Sequence, residues 1–212
     1  MYSSISSCGE VWSVDDEVLV GSFSRSNYTY NPYNHMKKLL VLLPAIILSY
    51  SAQATSAFQA SLTPDIALVE QGATVKGLAL NIWGDNEVQG LNLGFVNQQS
   101  GNSTGFTISL LGGTADDYTG VLWGGFFTLT TGDVVGWQGA TVNISQGTMT
   151  GLQTGFVNIT TDMTGLQLGF FNYAKSLNGV QIGLANIVES NPWFREAPQK
   201  LATGFPFVNW SF

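Results

Sequence analysis

Downstream of Gly77, apolar and small polar residues alternate along the chain, with polar breaks at near-regular intervals. In the clearest stretch Leu166, Leu168 and Phe170 fall on one face, and Gly165, Gln167 and Gly169 on the other. The same division sets Val180, Ile182 and Leu184 against Gly179, Gln181 and Gly183, and Leu91, Leu93 and Phe95 against Gly90, Asn92 and Gly94. Gly151, Gln153 and Gly155 continue the small polar face. A period of two is the signature of β-strands, and no helical period competes with it here.

The alternation is written as a repeat. The unit Gly-Leu-Gln-x-Gly-hydrophobic-x-Asn recurs from Gly151, Gly165 and Gly179, with a further copy from Gly90. Leading glycines at 77, 90, 105, 120, 136, 151, 165 and 179 are spaced by 13, 15, 15, 16, 15, 14 and 14 residues. Breaks such as Gly112-Gly-Thr-Ala-Asp-Asp and Thr131-Gly-Asp carry turn chemistry and most of the acids. With strands added over 58–69 and 205–212, the pattern predicts about ten strands. The one long irregular connection is 189–204, which holds Pro192, Trp193, Phe194, Arg195 and Pro198.

Charge sharpens this picture. Only 10% of residues are charged, against about 25% in an ordinary soluble domain. The net charge of −7 argues against a nucleic-acid partner, which selects clustered Lys and Arg. Residues 36–54 combine Lys37 and Lys38, an apolar run and the ending Ala52-Gln-Ala54, the pattern of a secretory signal peptide cut between Ala54 and Thr55. Residues 1–35 then read as an over-extended gene start, and 55–212 as a single repeat-built β domain. The only Cys and the only His, Cys8 and His35, precede that cut. Cys/His metal sites, disulfides and Ser-His or Cys-His catalysis are therefore excluded from the exported chain. No catalytic, cofactor-binding or metal-binding residue is expected; Asp116 and Asp117 flank a turn and read as a solvated loop.

The final residues, Phe205-Pro-Phe-Val-Asn-Trp-Ser-Phe212, set Val208, Trp210 and Phe212 on one apolar face. This ending resembles the C-terminal strand of bacterial outer-membrane barrels, and the resemblance implies that those three residues form a barrel-assembly signal. The repeat, over 77–212, resembles a family of bacterial surface-repeat proteins that carries no known catalytic activity. Its copies at Gly105, Gly120 and Gly136 depart from the pattern: the first two lose the central Gln and the closing Asn, and the third has Ala140 and Thr141 in place of the second Gly and the hydrophobic residue. That resemblance implies a location and no reaction.

The preferred expectation is an all-β, antiparallel up-and-down barrel of about 8–10 strands. Spanning strands need roughly 9–11 residues, alternating apolar outside and polar inside. The Leu/Val/Ile/Phe positions named above then face lipid, and Gly151, Gln153, Gly155, Gly165, Gln167, Gly169, Gly179, Gln181 and Gly183 face a narrow or plugged lumen. Trp83, Tyr118 and Tyr173 read as interfacial girdle or turn-flanking aromatics. The barrel would sit in the outer membrane of a Gram-negative bacterium, with membrane lipid and the barrel-assembly machinery as partners, a structural or surface role and no cofactor.

The alternative is a parallel β-solenoid of about 15-residue coils, a secreted, periplasmic or surface-attached adhesin-like protein with an unknown surface ligand. In that reading Leu and Phe fill the core, Asn158, Asn172 and Asn186 stack as a ladder, and Gly-Gln-Gly faces solvent. The drifting period and the terminal Phe favour the barrel. A narrow small-solute pore is a third reading.

Overall fold

The computed structural model describes residues 55–212. The expected signal peptide and the expected over-extended start lie outside the described residues. Thr55, at the expected cut, opens the first strand.

The described residues form an all-β solenoid. Its strands are β1 (Thr55–Thr63), β2 (Ile66–Ala67), β3 (Thr74–Asp85), β4 (Glu87–Gly124), β5 (Phe127–Thr130), β6 (Val134–Gly139), β7 (Val142–Val188) and β8 (Gly204–Ser211). A straight strand as long as β7 would run about 150 Å. Instead β4 and β7 wind through successive coils, and each leading glycine takes a positive φ, from 117° at Gly105 to 151° at Gly90. A Cβ at Gly165 would run into the carbonyl oxygen of Gly151, and one at Gly179 into that of Gly165. Close stacking of backbones is what this column of glycines permits.

Successive coils pair in parallel and in register: Gly77 with Gly90, Gly120 with Gly136, and Gly136 with Gly151. The antiparallel barrel is therefore not what the chain forms. Register explains why: parallel stacking sets each Gln on a Gln and each Asn on an Asn, whereas reversed neighbours would set unlike residues together. The drifting period, which favoured a meander, is absorbed at corners. Thr131-Gly132-Asp133 stands where the previous coil has only Asp116-Asp117, and Gly124-Gly125-Phe126 where the next has Ala140-Thr141.

The interior reverses the usual polarity. Gln138, Gln153, Gln167 and Gln181 are wholly buried, as are Asn143 and Asn158, with Asn172 and Asn186 nearly so. Gln153 Nε2 donates to Gln138 Oε1 (2.9 Å), Gln167 to Gln153 (2.7 Å) and Gln181 to Gln167 (2.7 Å). Asn143 Nδ2 donates to Asn158 Oδ1, Asn158 to Asn172 and Asn172 to Asn186, each at 2.8 Å. The glutamines donate toward the N-terminal end and the asparagines toward the C-terminal end, so the two rows of amide dipoles oppose one another. Burial of so many amides is tolerable because nearly every donor and acceptor is paired. Beside the ladders runs an apolar cluster that includes Tyr118, Val134, Met149, Met163 and Leu177. The asparagine ladder matches the solenoid expectation; a core of Leu and Phe does not. Those residues point outward, because their alternation partners, the amides, hold the inside.

Both ends are closed by short reversals. At one end β2 runs antiparallel to β1, with the Gln59 side chain bonded to both N–H and C=O of Val69. At the other, β8 runs antiparallel to the last coil of β7, with Val180 opposite Trp210 and Ile182 opposite Val208. Buried Asn209 donates to the carbonyls of Ala202 and Asn186.

Candidate interaction surface

Outward positions divide into two flanks. The second, fourth, sixth and seventh residues of the coils project Leu, Ile, Val, Phe and Trp, forming columns along the stack. Leu91, Phe95, Phe170, Ile182 and Leu184 are exposed, while Leu93, Leu166, Leu168 and Val180 are half-exposed. Phe156 and Phe170, in adjacent coils, stack with ring centroids 4.8 Å apart and planes 8° from parallel, and Phe171 meets both edge-on. In-register stacking forces this, since strands about 4.8 Å apart place like residues within ring-stacking range.

Two features break the regular columns. Near the first coils, Leu62, Ile66, Leu68, Leu80, Ile82 and Phe95 line an apolar groove of about 810 Å³. The polar side chains in its wall, Ser61 and Asn81, are bonded to each other at 2.7 Å, and Asn81 donates on to Asn92 and Asn97. Midway along, Thr141 stands where neighbouring coils carry Phe126 and Phe156, and leaves a notch of about 360 Å³ between Trp123 and Phe156. Phe126, pushed out by the extra residue in its corner, stands 64% exposed beside it.

The opposite flank carries the acids, and these staple neighbouring coils. Asp116 accepts from the Gly101 N–H (3.1 Å) and the Thr131 hydroxyl (2.8 Å), Asp117 from the Asp133 N–H (2.8 Å), and Asp133 from the Thr148 N–H (2.8 Å). Partial burial, with the Asp116 charge adding to it, holds the Asp85 carboxyl above its ordinary range. Among the described residues no group of three or more His, Cys, Asp or Glu is placed to hold a metal ion. Asp116, Asp117 and Asp133 are thus engaged in holding coils together.

The sequence-derived sites fall as follows. Gln153, Gln167 and Gln181 line the interior, though that interior is a packed ladder. Gly151, Gly165 and Gly179 form the corner column, and Gly155, Gly169 and Gly183 a second one, where an added Cβ would meet Ala140, Gly155 and Gly169 carbonyl oxygens respectively. Val208 and Trp210 are half-exposed on β8 and Phe212 is exposed. Trp210 Nε1 donates to the Pro198 carbonyl (2.8 Å). Trp83 lies exposed on the apolar flank, whereas Tyr118 is a core residue and no girdle aromatic. Its hydroxyl sits 2.9 Å from the Val121 carbonyl and 3.0 Å from the Thr107 hydroxyl, and burial pushes its pKa up to about 12. The groove and the notch are what sequence reading missed. The notch had a visible signal, the loss of a bulky residue at Thr141.

No protein-family model, curated protein or solved structure matches the chain.

Proposed function

We propose that the chain is an exported β-solenoid of the bacterial surface, an adhesin-like binding scaffold that engages its partner through the apolar flank. The observation that carries this reading is the segregation of the surface. One flank bears columns of exposed Leu, Ile, Phe and Trp, and the acids collect on the other. Monomeric proteins rarely leave contiguous apolar patches beyond a few hundred Å², and larger ones mark interaction sites. A structural role for Asp116, Asp117 and Asp133 fits this reading, since each accepts hydrogen bonds from a neighbouring coil. A pore finds no support, since amide ladders fill the interior.

Expression of the whole gene in a Gram-negative host, followed by fractionation and protease treatment of intact cells, tests the reading. The expected outcome is a processed protein in the envelope or medium, cleavable from outside and lacking a folded gel band that shifts on boiling. Retention in the cytoplasm with residues 36–54 intact would overturn it.

A further inference from the structure

We propose that the partner on the apolar flank is a second copy of the chain, packed face to face about a two-fold axis with the solenoids antiparallel. This rests on the reading that the apolar flank is the interaction surface, and it names what covers it.

The argument is one of matching features at matching heights. Eight glycine-led coils, from Gly77 to Gly179, are flanked by β1 before the first and β8 after the last. The stack therefore has its midpoint between the Gly120 and Gly136 coils. A two-fold axis lying in the interface and across the stack at that midpoint brings β8 of one copy opposite β1 of the other. It preserves position across the face.

At the β8 level lies the most exposed large apolar residue among the described residues. Phe207 is 70% exposed, with a positive φ of 68°, opposite Gly183 at the fifth position of its coil. The apolar groove opens at the β1 level and runs on to the Gly105 coil along the fourth and sixth positions, Leu80 and Ile82, Leu93 and Phe95, Ile108 and Leu110. The two-fold thus lays Phe207 of each copy over the groove of the other. The same operation exchanges the coil bearing Phe126 with the coil bearing the notch at Thr141. Knob meets hole at both ends and at the middle, the self-complementarity that an isologous interface requires.

Area and charge agree. Ten levels at about 4.8 Å, and the width from second to seventh position, give a footprint of about 700 Å² on each copy. A stable interface needs roughly 800 Å² per partner. The apolar columns carry no charge in either copy, and the acids lie on the far flanks, out of each other's way.

The test uses the exported protein purified from expressing cells. Sedimentation equilibrium should give twice the chain mass, and Phe207→Asp and Leu68→Asp, both at exposed positions, should each weaken self-association at least tenfold while leaving the circular dichroism unchanged. Persistence of the dimer in both variants would overturn the proposal. A second arm fixes the geometry. Leu68→Cys and Phe207→Cys proteins, each made in a background that carries Cys8→Ser, are treated with a thiol cross-linker spanning roughly 10 Å, the separation of packed sheets. Cross-linking is expected when the two are mixed and not with either alone, because like positions lie about 40 Å apart across the two-fold. Linkage of either variant to itself would overturn it. A monomer that binds an apolar dye strongly, yet still reaches the cell surface, would overturn the dimer and leave the proposed function standing. Cytoplasmic retention would strike the functional reading alone.

Discussion

At the scale of single residues, stability rests on side chains that most folds keep at the surface. Gln167 is wholly buried, donates to Gln153 Oε1, and accepts from Gln181 Nε2. Replacing it with Leu keeps the volume and removes both ladder bonds, leaving neighbouring amides short of a partner. Each such buried group costs about 1–3 kcal/mol, so urea denaturation of Gln167→Leu should show a loss of about 2–4 kcal/mol. The outward Leu168→Ser should cost less than 1 kcal/mol in the separated copy, which is the reverse of an ordinary core. Tyr118 supplies a pH dependence. Its folded pKa of about 12 lies above the ordinary 10, so the neutral phenol contributes stability that is fully present below about pH 10. That contribution, up to about 3 kcal/mol, is lost as pH rises from 10 to 12. Denaturation at pH 8, 10 and 12 should show the wild-type chain losing that increment beyond whatever Tyr118→Phe loses.

At the scale of elements, the coil is the unit, and it meets only its neighbours. Removing residues 165–178 joins Thr164 to Gly179, restores the same sequence junction, and brings the Gly151 coil onto the Gly179 coil with Gln on Gln and Asn on Asn. That shortened chain should fold cooperatively, with a smaller denaturant dependence in line with its smaller buried surface. Removing 165–174 instead breaks the register and should abolish cooperative unfolding. Much of this was legible in the sequence. Alternation gave the strands and set Gly and Gln on one face, the inside of the expected barrel; the solenoid alternative turned that face to solvent, and neither reading brought Gln and Asn together inside. What alternation cannot convey is the direction in which one strand meets the next, because antiparallel and parallel neighbours share a period of two. The deciding physics is the pairing of like amides, and it appears only when the coils are stacked.

At the scale of the whole molecule, the same face that reads as lipid-facing on a barrel reads as an interaction flank on a solenoid. Apolar outside and amide inside hold for both. The distinction lies in Asp116, Asp117 and Asp133, which a barrel would place in loops at its rims but which here line one side from coil to coil. The groove was beyond sequence reading, because it depends on where β2 folds back over β1. That reversal, and its counterpart in β8, has a further consequence. With each end turned back on itself, a coil gained or lost between them alters neither terminus and changes the length by about 4.8 Å. The molecule is a ruler graduated in repeats, its reach fixed by the count of units in its gene and not by how many molecules happen to join end to end.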